Sequence, residues 1–183
     1  MGQLTNKSTI TILLEHEVPD GPLVRFHPPL VGGEKERRQL TIARPLDAWL
    51  NEQPRKSVGQ QIRSIARTHF GQFVKGAKID DCLFMKRVED RRRGNSKFGH
   101  EVWSVSPRFK PQHRYFGMFA GWDHLAIFRK QPRDYFVKDP ELWHVEIDEC
   151  LKEWSRLFPG RRPYSGTDFS HYVTNGEHCD DRW

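Results

Sequence analysis

The sequence is poor in cysteine. Its three cysteines, Cys82, Cys150 and Cys179, are odd in number and far apart, and no Cys-x-x-Cys pair occurs. This spacing excludes a disulfide framework and does not suggest a zinc ribbon. His171, His178 and Cys179 lie near one another in sequence, but three scattered ligands in a polar segment are a weak metal signal. We therefore expect neither a metal site nor a cofactor.

Long apolar segments are also missing. No run is long enough to span a bilayer and no signal-peptide core follows Met1, so we expect a cytoplasmic protein without a membrane partner. The sequence has no internal repeat. Hydrophobic residues still make up 36% of the 183 residues, and six Trp and twelve Phe supply large side chains for a core.

Positive charge is abundant but unevenly distributed. The formal net charge is +6, yet residues 86–133 contain twelve Lys and Arg against four Asp and Glu, a surplus of +8. A local surplus of this kind is expected on a surface that binds a polyanion such as RNA or DNA. The alternative is a solvated basic face that has no partner.

The order of hydrophobic patterns predicts an α+β fold. Residues 8–27 alternate around Asp20-Gly21 and predict an N-terminal β-hairpin. A short helix from Leu46 and an amphipathic helix ending at Gly71 then precede three or four antiparallel strands. We expect the two helices to pack on this small antiparallel sheet.

A further amphipathic helix is predicted after the strands, with Asp139 as its cap and Pro140 in its first turn. We divide the chain into an N-terminal β extension (1–36), an α+β core (37–160) and a C-terminal tail (161–183). The tail is either docked by Tyr164, Phe169 and Tyr172 or loose.

The stretch HRYFGMFAGWDHLAIFRK, residues 113–130, predicts a β-hairpin with basic residues at its open end. A turn at Gly121-Trp122 would place Arg114 opposite Arg129. These two arginines would repel each other unless an anion, or an acid such as Asp134 or Glu101, lay between them.

Alternation along the hairpin predicts two different faces. One face carries the two arginines and four apolar side chains that would contact the helices. The apolar side chains are Phe116, Met118, Leu125 and Ile127. The other is mixed, with His113, Tyr115, Gly117, Phe119, His124, Ala126, Phe128 and Lys130. Aromatic rings that stack on bases and cations that bind phosphate are what a nucleotide pocket needs.

Several short motifs resemble the RelE/ParE superfamily of toxins, in particular its HigB-like, phage-protein-related branch. The segments are "LDAWL", "EVWSVSP", "HRYFGMF" and "LAIFRK", followed by a helix that begins with Pro and Glu. The resemblance extends from about Leu46 to Phe158. Ser106 stands where the family often has an arginine, for which Arg108 is the candidate substitute, and Gln131 replaces a lysine.

This resemblance implies a metal-independent RNA endonuclease that acts on ribosome-bound mRNA and is neutralised by an antitoxin protein. Arg114 would hold the scissile phosphate and Lys130 would stabilise charge. The face argument adds His113, His124 or Tyr115 as groups that move protons. The predicted nucleic-acid-binding residues are Arg91, Arg92, Arg93, Arg108, Lys110, Arg129 and Arg133.

Two alternatives remain open at this stage. The first is a non-catalytic module of phage or plasmid origin that binds nucleic acid or protein on the same fold. The second is a ParE-type inhibitor that binds a large protein target.

Overall fold

The computed structural model of the protein describes residues 21–52, 58–79, 83–90, 92, 100–107 and 113–174. In chain order, the elements are β1 (Leu23–Arg25), β2 (Gln39–Ala43), α1 (Arg44–Asn51), α2 (Val58–Val74), β3 (Leu83–Arg87), β4 (Trp103–Pro107), β5 (His113–Gly121), β6 (His124–Pro132), α3 (Arg133–Lys138) and α4 (Leu142–Leu157). A 3-10 turn at Phe169–His171 follows. The fold is therefore α+β, as the sequence predicts.

The six strands form one sheet in the order β1-β2-β6-β5-β4-β3. Four of the five neighbouring pairs are antiparallel, whereas β2 and β6 run parallel. The sheet is thus mixed rather than wholly antiparallel. Parallel neighbours require a long crossover, and here the chain from α1 through β5 supplies it.

The start of the described chain belongs to this same sheet. β1 pairs with β2, so that Val24 lies opposite Ile42. The strand predicted before Asp20 lies outside the described residues. The part of the predicted N-terminal hairpin that is described therefore extends the main sheet at its edge.

Helix α2 continues beyond Gly71, which was expected to end it. A Cβ atom on Gly71 would lie 3.2 Å from Cβ of Pro28, so this glycine allows two segments to pack closely. The chain leaves the helix at Gly76, whose φ of 82° is readily adopted only by glycine.

The region between the sheet and α4 also differs from the prediction. α4 begins at Leu142 rather than at Pro140, and the Asp139 carboxylate accepts the backbone N–H of Glu141 at 2.9 Å. The short helix α3 occupies Arg133–Lys138, where no helix was predicted.

Apolar side chains form a core on each face of the sheet. On the face covered by α1 and α2, called the α1/α2 face, Leu50 and Phe70 pack with Tyr115 and Ile127. On the face covered by α3 and α4, called the α4 face, Phe136 and Trp154 pack with Phe116, Met118 and Phe128. Both faces of the β5–β6 hairpin are therefore covered over much of their length. No described helix is long and apolar enough to cross a membrane.

Residues 161–174 pack against the core. Of the two alternatives for the predicted tail, docked or loose, this part of it is therefore docked. The Tyr172 ring contacts Trp103 and Phe119, and its hydroxyl donates to the Glu101 carboxylate at 2.5 Å. The backbone N–H of Tyr164 donates to the carbonyl of Phe119 at 2.8 Å. This segment therefore covers the turn end of the sheet.

Candidate nucleic-acid interface

The hairpin formed by β5 and β6 has a different register from the predicted one. Its two-residue turn is Trp122-Asp123, and Asp123 has a φ of 58°. Arg114 lies opposite Gln131, and Arg129 lies opposite Phe116. The predicted pairing of Arg114 with Arg129 is wrong. The turn lies one residue further along the chain, which changes every pair. Bulges at Ala120 of β5 and at Phe128 of β6 then offset each other, so that Arg114 lies opposite Gln131.

The predicted mixed face is also wrong as a single exposed surface. Tyr115 is fully buried among the residues of the α1/α2 face. His124 is buried as well, and its Nε2 lies 2.8 Å from Oγ1 of Thr41. Because His124 alternates with Ala126 and Phe128, it lies on the α4 face, opposite to Tyr115. Tyr115, His124 and Lys130 therefore cannot contact one phosphodiester together.

Burial has a chemical consequence for Tyr115. Removal from water raises the pKa of its phenol, which makes the phenolate less accessible. The structure thus gives neither Tyr115 nor His124 the exposed position that was predicted for proton transfer.

Arg114 lies at the open end of the hairpin, on the α4 face. Its guanidinium carbon is 5.3 Å from the centroid of the Trp143 ring. Burial, and then the nearby charge of Arg133, lower the pKa of Arg114 to about 10, so the side chain remains a cation at neutral pH. Two guanidinium groups are thus held in one half-buried region. We call Arg114, Arg133 and Trp143 the Arg114 site.

Small hydroxyl side chains lie on the neighbouring strand. Ser104 pairs with Phe116 in the sheet, whereas Trp103 and Val105 belong to the core of the other face. Ser104 and Ser106 therefore point to the α4 face, and both are buried. Within the described residues the Ser104 hydroxyl has no hydrogen-bond partner. The sheet beside Arg114 thus offers hydroxyls where the resemblance leads us to expect an arginine.

Arg129 has a structural partner that sequence reasoning missed. Its Nε donates to a carboxylate oxygen of Glu146 at 2.7 Å, and Gln131 donates to the other oxygen at 2.8 Å. Glu146 is 0% exposed. The acid beside the arginine is therefore Glu146 of α4 rather than Asp134 or Glu101. This geometry favours a role for Arg129 in joining β6 to α4.

Arg92 is likewise held by acids. It donates to Asp90 at 2.9 Å and to both oxygens of Asp148 at 2.8 Å. Its charge is thus largely neutralised within the protein, which does not favour the predicted contact with nucleic acid. The other predicted contacts of this kind, Arg91, Arg93, Arg108 and Lys110, lie outside the described residues.

This pairing predicts a pH dependence of stability. Hydrogen bonds from Arg92 lower the pKa of the buried Asp90 from 3.8 to about 2. Since the folded-state value is the lower one, the stabilisation is complete above pH 3.8 and is lost as the pH falls towards 2. We expect Arg92→Ser to reduce the free energy of unfolding at pH 6 and to leave a smaller difference at pH 2.5.

Urea titrations of both proteins at the two pH values measure this difference. Arg156→Ser is the matched control, because Arg156 forms an exposed pair with Glu153. An equal loss at both pH values would contradict the assignment to Asp90.

His113 and Lys130 come together on the α1/α2 face around a residue of α1. The Lys130 ammonium nitrogen is 4.3 Å from the centroid of the Trp49 ring, and the His113 ring stacks on the same indole with centroids 6.1 Å apart. All three side chains are partly exposed. The spacing of Trp49 with Leu46 and Leu50 is helical, and such spacing does not distinguish a core indole from a ligand-facing one.

We infer the function mainly from the arrangement of the residues described above. Among the described residues no group of three or more His, Cys, Asp or Glu side chains is placed to hold a metal ion. Comparison of the chain with known protein families, with curated proteins and with solved structures finds no match.

Proposed function

We propose that this protein binds single-stranded RNA, with a phosphodiester held at the Arg114 site. The observation that carries this proposal is the juxtaposition of Arg114 and Arg133 beside Trp143. A phosphate bound between two guanidinium groups in a region of reduced solvation would form charge-assisted hydrogen bonds with both. Guanidinium groups suit this task because their planar N–H groups match phosphate oxygens.

The surroundings of the site support the same ligand. Trp143 stacks on Phe136 with centroids 4.3 Å apart, so the indole beneath Arg114 is fixed by packing. The Ser104 hydroxyl on the adjacent strand is buried opposite Phe116, so it belongs to the support of the site rather than to the surface that a ligand would contact. A rigid support that presents cations suits a sugar–phosphate chain.

The family resemblance also supports RNA as the polyanion. The segments that carry the resemblance lie in α1, β4, β5 and β6, whereas β1 and β2 precede them and α3 lies before the last helix. Under this proposal, an antitoxin protein would be the natural regulator of the RNA-binding surface.

Metal-independent RNA cleavage is a second candidate, favoured by the position of His113. This residue is partly exposed and lies with Lys130 at the Trp49 ring, on the face of the sheet opposite to Arg114. The scissile phosphate would therefore be held by Lys130 rather than by Arg114. In such a reaction the ribose 2′-hydroxyl loses its proton to a base and attacks phosphorus, and the departing 5′-oxygen takes up a proton. His113 would supply the base. Because Tyr115 and His124 are buried, binding without cleavage remains the stronger proposal.

The binding proposal predicts a particular salt dependence. We expect Arg114→Gln and Arg133→Gln each to weaken binding of a labelled single-stranded RNA about tenfold and to reduce the slope of log affinity against log salt by about 1. Fluorescence anisotropy at several salt concentrations measures both quantities, and circular dichroism checks folding.

Arg156→Gln is the matched control, since it removes one exposed guanidinium elsewhere on the surface, at α4. Unchanged slopes for both Arg114 and Arg133 variants would refute the proposal. Incubation with ribosome-bound mRNA and EDTA tests the second candidate: cleavage that is lost in His113→Gln would establish it, and intact mRNA would reject it.

A further inference from the structure

A second cluster of cations lies on the opposite face of the sheet from the Arg114 site. We call Trp49, Arg63, His113 and Lys130 the Trp49 cluster. Lys130 and His113 come from paired strands β6 and β5, Trp49 from α1 and Arg63 from α2. Lys130 and His113 thus contact one half-exposed indole, and the charge of Arg63 lies close enough to act on Lys130.

The charges of this cluster are only partly balanced. Arg63 donates to the Glu52 carboxylate at 2.8 Å, and the Glu52 side chain is 64% exposed. Lys130 has no carboxylate partner anywhere in the described part of the chain. Burial and then the charge of Arg63 lower the pKa of Lys130. A partly desolvated ammonium beside a second cation is an unfavourable arrangement that a bound anion would stabilise.

The geometry also limits what this anion can be. The Trp49 and His113 rings are tilted by only 23° with centroids 6.1 Å apart, which is a direct ring–ring contact. A base cannot insert between them. The Lys130 ammonium is a group that binds phosphate oxygens, and the nearby Arg63 guanidinium adds positive charge.

We propose that the Trp49 cluster binds a phosphate group, and that in the RNA complex this is a second phosphate of the strand held at the Arg114 site. The part concerning RNA rests on the proposed function. His113 and Arg114 are consecutive residues at the start of β5, and their side chains lie on opposite faces. A strand passing over this open end of the hairpin would reach both sites, so the two phosphates would be bound on opposite sides of the sheet.

Inorganic phosphate provides a test that does not depend on RNA. In the full chain labelled with 15N, we expect the Trp49 indole N–H resonance to shift saturably with phosphate at constant ionic strength, relative to chloride. Trp49→Phe assigns the resonance. The shift should disappear in Lys130→Gln and persist in Lys130→Arg, which retains the charge. A linear, unsaturable shift, or one unchanged in Lys130→Gln, would overturn the proposal.

RNA binding then tests the source of the phosphate. We expect Lys130→Gln to lower RNA affinity about fivefold and the salt slope by about 1, whereas Lys152→Gln, which removes an exposed charge on α4, changes neither. Loss of phosphate binding with unaltered RNA affinity would refute the RNA assignment and identify a site for a small phosphorylated molecule. Failure of the Arg114 site is distinguishable, because Arg114→Gln would then leave RNA affinity unchanged while the phosphate shift at Trp49 persists.

Discussion

Gly117→Ala is expected to destabilise the protein by about 3–5 kcal/mol, which corresponds to a fall of about 10 °C in the melting temperature. A Cβ atom at this position would lie 2.0 Å from the carbonyl oxygen of Ala126 and 2.9 Å from Cα of Ile127. Both are backbone atoms of the paired strand β6. The clashing atoms belong to the backbone, so no side chain can rotate away to make room. The two central strands would have to separate instead.

A second glycine in the same chain serves as the control. Gly71 lies in α2, and its new Cβ would meet only Cβ of Pro28 at 3.2 Å. Because alanine is the better helix former, we expect Gly71→Ala to remain within about 1 kcal/mol of wild type. Thermal and urea unfolding followed by circular dichroism measure both variants. Equal stability of the two variants would contradict the close approach of β5 and β6.

Glu146→Ala is expected to cost about 3 kcal/mol, because it removes a fully buried carboxylate that joins Arg129 and Gln131 to α4. The variant would leave Arg129 partly buried with only the more distant carboxylate of Glu149, at 3.6 Å. Glu146→Gln keeps the side-chain shape and part of the hydrogen bonding, so its loss should be smaller.

Glu153→Ala is the control for this prediction, because Glu153 forms an exposed pair about two turns further along the same face of α4. We expect it to cost less than about 1 kcal/mol. Urea titration gives the free energies of unfolding. If Glu146→Ala lowered the free energy of unfolding no more than Glu153→Ala, the ion pair would not hold β6 to α4. Arg129 would then again be a candidate RNA contact.

The strands of the hairpin were predictable from sequence, but their register was not. Alternation in residues 113–130 is a local signal and identifies β5 and β6. Phe128 and Arg129 both lie on the α4 face because of the β-bulge, and no alternating pattern reveals such an insertion. As a result, the face assignments for β5 and for Arg129 and Lys130 agree with the structure, whereas those of residues 124–128 are inverted.

The buried acid of α4 was unpredictable for a different reason. Ile147, Cys150 and Trp154 have the spacing of a helical stripe, and all three are buried. Glu146 adjoins this stripe, and a charged residue is normally expected outside unless a partner is known. Its partners Arg129 and Gln131 become visible only when β6 and α4 are seen packed together. The Trp49 cluster was not predicted for the same reason, because its residues lie in four segments that are far apart in sequence.

The docking of residues 161–174 has a consequence for how the chain is made. Strand β2 is near the N-terminus, yet its neighbour Arg38 donates to the carbonyl of Thr174, and Tyr172 shields Trp103 and Phe119. During synthesis, the aromatic surface of the sheet stays exposed until these late residues leave the ribosomal tunnel. Folding of this layer is therefore completed only after residues 161–174 have left the ribosome, and until then a chaperone can bind the exposed aromatic surface.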